Sequence, residues 1–576
     1  MDFMKPIYTE AAKCQDCYKC LRQCPVKAIK IQDGHAKVIN ELCVMCGHCV
    51  QVCPVGAKKI RNDLERARLL LKSDKKVYVS LAPSFVTEFA DVEPAKLVAA
   101  INKLGFDGVS ETALGAQEVS ANIGKIISEG KKDVYISSAC PTIVEYIKKY
   151  RPEFAEKVTN MLSPVLAHCK ILRKTYGDDI AIVFVGPCIA KKSESDMFPQ
   201  LMDISITFKD LRLWFEVENI ELEKVEARED FVPRGAQEGA LYPIDGGMIA
   251  GIKANCSVND AQFMAFSGMD DIRKVLDELD TSKLKGPLFL ELLACDGGCV
   301  NGPAVSKDSG TAMKRYDVID YSKYPDVNIP RKPEVEIGTD WKIEPVKHAE
   351  HTEQEIRDAL RSVGKYKAED ELNCSGCGYD SCREFAKALL DGRAEPSMCV
   401  SYMRQLAHKK ADALIKTMPS GVVIVDQKLE ILECNRKFAE LLGEETLKLY
   451  DDMPGLEKAV LEKILPFANI FKQVLNSGEK VVEKNIKLEN IILHVTVFTI
   501  EPHRLVGGFL QDITVPAVQK QQIINKAKEV IEKNLSTVQQ IAYLLGENAS
   551  ESEVILNSIV GSFGTDTIEG KKDDKD

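Results

Sequence analysis

No stretch of about 18 uncharged apolar residues occurs in the 576-residue chain, so nothing in it reads as a transmembrane helix. The opening segment MDFMKPIYTEAAKC lacks the apolar core of a secretory signal. Positive charge is also short: 76 Lys and Arg stand against 87 Asp and Glu, a net charge of −11, which argues against nucleic acid as a partner. These absences together predict a soluble cytoplasmic protein with neither a membrane nor a nucleic-acid partner. Hydrophobic residues make up 45% of the chain, enough for sizeable cores, and the length suits several domains of roughly 100–200 residues each.

Cysteine is abundant. Of the 19, eight lie between Cys14 and Cys53 and four between Cys374 and Cys399. A long acidic chain without a signal peptide belongs where thiols stay reduced, so clustered cysteines point to metal ligation rather than disulfides.

Cys14, Cys17, Cys20 and Cys24 read C-x2-C-x2-C-x3-C-P, and Cys43, Cys46, Cys49 and Cys53 repeat the pattern. Three thiolates two residues apart wrap three corners of a cubane, and the fourth, before proline, reaches across to the other cluster. The spacing therefore predicts one [4Fe–4S] cluster on Cys14, Cys17, Cys20 and Cys53, and a second on Cys43, Cys46, Cys49 and Cys24. Zinc, the plainer alternative, has no use for a three-plus-one repeat. The segment resembles a bacterial-type two-cluster ferredoxin, an electron port.

From Lys76 the texture changes. VYVSLAPSF, DVYISSA and IAIVFVGP are apolar runs suited to strands buried on both faces of a mainly parallel sheet, and helical stretches such as PAKLVAAINKLGF and TIVEYIKKYRPEF alternate with them. Sites in such sheets collect at the carboxyl ends of strands. Three cysteine loops follow strand-like segments: YISSACP with Cys140, VGPCIAKKSE with Cys188, Lys191 and Glu194, and LLACDGGCVNG with Cys295 and Cys299. Four thiolates from these loops could meet on one cubane; the alternative is a set of ordinary buried cysteines.

At this point the chain resembles the [FeFe]-hydrogenases, whose catalytic domain carries T-S-C-C-P, M-P-C-x-x-K-x-x-E and A-C-x-G-G-C in that order. Here they read S-S-A-C-P, G-P-C-I-A-K-K-S-E and A-C-D-G-G-C. The resemblance implies that Cys140, Cys188, Cys295 and Cys299 hold the cubane of an H-cluster. Cys299 would also bridge to a two-iron unit carrying CO, CN⁻ and an azadithiolate. It further implies that Lys191 donates to a cyanide ligand and that Glu194 pairs with Lys191 or with the backbone. It implies H₂ and protons as substrates, a ferredoxin or another redox partner, and dependence on H-cluster maturation proteins. The chain departs from the family at Ala139, where a second cysteine would relay protons to the azadithiolate, and at Gly186, where the family has methionine. The helix after LGAQEVSANIGKII shows no acid pair where the usual proton pathway would run. The ligands are untouched; fast turnover is what these departures disfavour.

Beyond a proline-bearing segment (321–354) read as a linker or wrapping arm, Cys374, Cys377, Cys382 and Cys399 read C-x2-C-x4-C-x16-C. This spacing resembles the small [4Fe–4S] domains of electron-transfer and corrinoid-reducing proteins, with zinc as the alternative. Cys169, Cys256 and Cys434 remain and read as ordinary buried thiols, as does the pair His168–Cys169. Residues 405–515, with PSGVVIVDQKLEILECNRKFAELLG and GGFLQDIT, resemble a PAS domain whose ligand is unknown. His494 alone on a strand is weak evidence for haem. In the tail, Ile524, Ala527, Ile531, Asn534, Val538, Ile541 and Leu545 follow an a/d seam, predicting a parallel homodimer.

The expected architecture is multidomain α/β and α+β. It comprises a two-[4Fe–4S] ferredoxin domain (1–62), an H-cluster domain (74–320), a linker (321–354), a small [4Fe–4S] domain (355–404), a PAS domain (405–515) and a helical tail (516–576). With Ala139, this set resembles the sensory [FeFe]-hydrogenases: an H₂-binding redox sensor with slow reversible chemistry, four [4Fe–4S] clusters and a signalling kinase or phosphatase downstream. The rivals are a metabolic ferredoxin-linked hydrogenase using another proton route, and a non-enzymatic hydrogenase-like iron–sulfur protein.

Overall fold

The computed structural model describes residues 5–514, apart from 131, 228–229, 256–260, 307–308, 323–330, 348 and 489–490, and a few positions between 526 and 538. The expected coiled-coil seam lies mostly outside the described residues, as do Cys256 and part of the 321–354 segment. Among the described residues no helix is long and apolar enough to cross a membrane. The chain forms two units, Met1–Glu395 and Pro396–Asp576.

The first unit begins with two short antiparallel pairs, Ile7–Thr9 with Lys58–Ile60 and Ile29–Gln32 with His35–Val38. The cysteine repeats lie between them. Left-handed residues recur at matching places in the two repeats: Asp16 and Met45, Tyr18 and Gly47, Lys27 and Gly56. Each turns the chain back so that successive cysteines face one point.

The strands that follow are parallel, as their unbroken apolar runs require, but they form two sheets rather than the single one expected. One has the order Gly108–Glu111, Val77–Leu81, Ala181–Gly186, Ile204–Thr207. The other has the order Gln262–Ser267, Leu288–Leu293, Val134–Ile136. The buried strand Val77–Leu81 and the helices Pro94–Lys103 and Pro164–Tyr176 share one core, whereas Val134–Ile136 and Leu288–Leu293 pack largely into another. Segment 331–347 wraps this unit: Ile337 is buried, Leu162 N donates to Ile337 O (2.8 Å) and Trp341 Nε1 to Thr159 O (3.1 Å).

A buried charge cluster ties the ferredoxin-type segment to the α/β domain. Asp63 accepts from Lys192 Nζ (3.0 Å), Arg61 Nε (3.0 Å) and Arg66 Nη1 (2.8 Å), and Arg61 is bidentate on Asp196. His168 and Cys169 sit fully buried in the core, the imidazole held between Ser80 Oγ and Ser110 Oγ at 2.8 Å each. Burial pushes His168 down to about 3, so it is neutral and structural.

The second unit carries a five-stranded antiparallel sheet of order Ile431–Cys434, Gly421–Asp426, Leu505–Asp512, Ile491–Glu501, Val481–Leu488, with helices between its second and third strands in sequence. Asn435, buried completely, organises its entry. Its Oδ1 accepts from Val422 N (2.8 Å) and Phe438 N (2.9 Å), and its Nδ2 donates to Ile415 O (2.9 Å) and Ser420 O (2.8 Å). Asn435→Ala strands four backbone groups and is expected to cost about 3 kcal/mol. The check is a lowered thermal midpoint for tryptic resistance of residues 421–512. His494 meets Asn485 Oδ1 across the ladder (2.7 Å), and Cys434 is buried with its thiol on Gly455 O (3.2 Å).

Candidate metal centre

The three central cysteine loops leave the carboxyl ends of strands in both parallel sheets. Cys140 follows Val134–Ile136 and caps the helix Pro141–Tyr150, with Pro141 at its first position, where proline costs no hydrogen bond. Cys188 follows Ala181–Gly186 and directly precedes the helix Ala190–Met197. Cys295 and Cys299 follow Leu288–Leu293. A helix N-terminus beside a sulfur favours its thiolate form.

All four line one cavity of about 110 Å³, together with Ala82, Ser84, Thr112, Ala139, Lys191 and Tyr242. Pocket and glycines match. At Gly298 (φ +97°) a Cβ would stand 2.3 Å from Pro243 O, so the DGGC turn passes where no side chain fits. Among the described residues no three His, Cys, Asp or Glu side chains close on a point for a single metal ion. Four thiols around a cavity of this size suit a group several atoms across. Burial pushes Cys188 up to about 11, and Cys295 and Cys299 rise well above the ordinary thiol value for the same reason. These three thiols keep their protons unless a cationic core such as iron supplies offsets the charge of the thiolates.

Lys191 and Glu194 lie one turn apart on the Ala190–Met197 helix, both nearly buried. Lys191 Nζ donates to Glu194 Oε2 (2.6 Å) and to Ser163 Oγ (2.9 Å), and Ser163 Oγ donates to the same carboxylate oxygen (3.1 Å). Two of the three ammonium protons are thus engaged, leaving one for a ligand in the cavity. The Ala139 methyl is on the cavity wall, its backbone N–H held by Ser137 Oγ (3.1 Å).

Sequence reading missed Ser163, Tyr242 and Glu291. Tyr242 lines the cavity with its hydroxyl on Ser120 Oγ (2.8 Å). Glu291, buried inside LFLELL, accepts from Gly246 N (3.1 Å) and Ile249 N (3.0 Å), and burial pushes its carboxyl up to about 7. One charged residue in an apolar strand was the only signal, and a strand position alone says nothing about where the carboxyl ends.

The ferredoxin-type cysteines also gather. Cys20 has Cys17, Cys14 and Cys53 as electrostatic neighbours, and Cys49 has Cys46, Cys43 and Cys24. Backbone N–H groups four residues on, at Ala28 and Ala57, donate to Cys24 Sγ (3.3 Å) and Cys53 Sγ (3.2 Å), as suits sulfurs carrying negative charge. Met45 and Cys46 reach the wall of the central cavity. Cys374, Cys377 and Cys382 share a loop in the first unit, with Cys382 opening the helix Cys382–Leu390. Cys399 caps the helix Val400–Thr417 in the second.

The comparisons bear on the same segments. The profile of the iron only hydrogenase large subunit, C-terminal domain, matches residues 75–303; a 4Fe-4S dicluster domain matches 13–57, a profile named for an Fe-S cluster 370–401 and a PAS domain 411–475. The chain is 25% identical over 318 residues to iron hydrogenase 1 of Clostridium pasteurianum, covering 45% of this chain and 55% of that protein. It is 26% identical over 362 residues to the periplasmic [Fe] hydrogenase large subunit of Nitratidesulfovibrio vulgaris, covering 51% of this chain and 85% of that protein. A solved [FeFe]-hydrogenase from Chlamydomonas reinhardtii aligns with TM-score 0.37 and 18% identity over 47% of this chain and 91% of its own. The chain spans 55% of the length of the clostridial relative. The domain that carries the four-cysteine cavity is thus the segment, residues 75–303, that matches the iron only hydrogenase large subunit, C-terminal domain.

Proposed function

We propose that the chain is an H₂-binding redox sensor of the [FeFe]-hydrogenase type that interconverts H₂ with protons and electrons slowly and reversibly. The observation that carries this reading is the cavity itself, ringed by Cys140, Cys188, Cys295 and Cys299 and closed by the inert Ala139. Those cysteines would hold the cubane of an H-cluster, Cys299 also bridging to the di-iron unit with its CO, CN⁻ and azadithiolate. When bound, that group supplies the chemistry 2H⁺ + 2e⁻ ⇌ H₂. Lys191 would offer its remaining proton to an anionic ligand such as cyanide, held in place by Glu194 and Ser163.

Apart from cysteines, the titratable side chains on the cavity wall are Lys191 and Tyr242. The ammonium is committed to Glu194, and burial pushes the Tyr242 hydroxyl far above neutral pH. Tyr242 therefore holds its proton at pH 7, and Ala139 has none to pass, so proton delivery limits turnover. The reading places four [4Fe–4S] clusters on the sixteen cysteines of the four sets. It takes a ferredoxin or similar protein as redox partner, requires maturation proteins to install the di-iron unit, and assigns the PAS and tail to homodimerisation and to signalling through a kinase or phosphatase in the cytoplasm.

One observation favours the metabolic alternative: Glu291 is buried, which pushes its carboxyl up to about 7, and it is an electrostatic neighbour of Cys299, so another proton route could run through it. H₂ evolution with a reduced dye separates the two readings. The native protein should be slow, and Ala139→Cys should gain roughly tenfold at most, since one missing acid is worth about 10²–10⁴-fold and the rest of the path is altered too. The infrared CO and CN⁻ bands should not move. A native rate equal to that of metabolic enzymes would overturn the sensor reading. An unchanged rate in Ala139→Cys, with no solvent isotope effect, would show that protons at this position do not limit.

A further inference from the structure

The loop bearing Cys374, Cys377 and Cys382 is seated on the ferredoxin-type segment. Gly378 (φ +94°) lies so close to it that a Cβ would stand 3.0 Å from Leu21 Cγ and 3.4 Å from Arg22 Cγ. Ile31 N donates to Arg393 O (3.2 Å), Asp33 N to Glu395 Oε1 (3.1 Å), and Lys27 pairs with Asp380 at 3.3 Å. Tyr379 is wedged into this seat, 2% exposed, its ring 5.9 Å from that of Phe385 and its hydroxyl without a hydrogen-bond partner among the described residues. Cys377 of its own loop and Cys24 of the second ferredoxin set are among its electrostatic neighbours.

The second set has another neighbour on its far side. Cys46 lines the central cavity and acts on Cys295, and a Cβ on the adjacent Gly47 would stand 2.5 Å from Pro303. The first set differs: its Cys17 is exposed, and its Cys20 has Cys14, Cys17 and Cys53 as electrostatic neighbours.

We propose that the Cys24, Cys43, Cys46 and Cys49 set is a three-way junction, joined to the small cysteine domain at Tyr379 and to the catalytic cavity at Cys46, with the Cys14 set a separate branch that meets an external partner. This rests on reading these cysteines as cluster ligands, and is independent of how H₂ is turned over. Each hop moves one electron, the donor set being oxidised and the neighbouring set reduced. The two electrons released per H₂ therefore have two exits.

The test is electron paramagnetic resonance of the reconstituted full chain reduced with dithionite, with the second-set signal identified by its loss in Cys43→Ala. Cys382→Ala removes the small-domain cluster and should abolish part of the magnetic splitting of the second-set signal. Cys17→Ala removes the first cluster and should leave the splitting of the small-domain signal intact. Tyr379→Ala should weaken that splitting while iron content stays constant. A second-set signal unchanged in Cys382→Ala despite loss of iron, or a small-domain splitting lost in Cys17→Ala, would overturn the junction. No loss of iron in Cys382→Ala would overturn the cluster assignment, and the junction with it.

Discussion

Cys299→Ala is expected to abolish the infrared CO and CN⁻ bands of the matured protein and its hydrogen chemistry altogether, while the ferredoxin-type clusters remain. Cys299 faces the cavity from the turn that Gly298 makes possible, with Cys140 and Cys188 as its electrostatic neighbours. Cys169, by contrast, is fully buried in the α/β core among aliphatic side chains. Cys169→Ala should therefore cost some stability and leave both the bands and the iron count unchanged. The measurement is infrared spectroscopy with iron quantification on both variants. Bands and activity surviving in Cys299→Ala would overturn the bridging role proposed for it.

Asp63→Ala should be among the most damaging substitutions to stability, at about 3–5 kcal/mol, because it takes from the buried Lys192 its nearer carboxylate, at 3.0 Å against 3.6 Å for Asp210. Asp63 is 1% exposed and Lys192 is completely buried, and the carboxylate is shared among Lys192, Arg61 and Arg66. Burial alone would raise the Asp63 carboxyl, but the three cations outweigh it and hold it below the usual range. The sign of the pH effect follows. A carboxylate depressed in the folded state contributes stability that is present above its unfolded value, near 3.9, and is lost as pH falls through its lower folded value. Asp63→Ala should thus lower the melting temperature near neutral pH and flatten the acid limb of the stability profile. Lys192 neighbours Lys191 on the helix that follows Cys188, so iron retention in the central domain should fall with it. A melting temperature unchanged at neutral pH would show that the cluster adds nothing to the join between ferredoxin-type segment and α/β domain.

Much of the site was legible in the chain because its chemistry is written in local spacing. Two residues between cysteines and a closing proline specify a ferredoxin wrap whatever surrounds it, and the left-handed turns at Asp16 and Met45 are the backbone form of that spacing. The Lys191 and Glu194 pair was readable for a similar reason, since three residues on a helix place two side chains on one face. The parallel strands were readable from apolar runs buried on both sides, but their division into two sheets was not. Apolar runs report burial and not which neighbour a strand takes, and that choice rests on packing between elements far apart in sequence.

What the sequence by itself determined is the inventory: which cysteines form sets, in what order, and that Ala139 stands directly before Cys140. What only the tertiary structure decided is convergence. Cys140 and the Cys295–Cys299 turn come from one sheet and Cys188 from the other, and they meet because the carboxyl ends of both sheets open onto the same cavity. The same holds for Glu291, whose carboxyl is pushed up to about 7 by burial, for His168 between two serines, and for Tyr379 pressed against the ferredoxin segment. A polar side chain takes its properties from the desolvation and partners that folding brings to it, and those come from residues tens or hundreds of positions away.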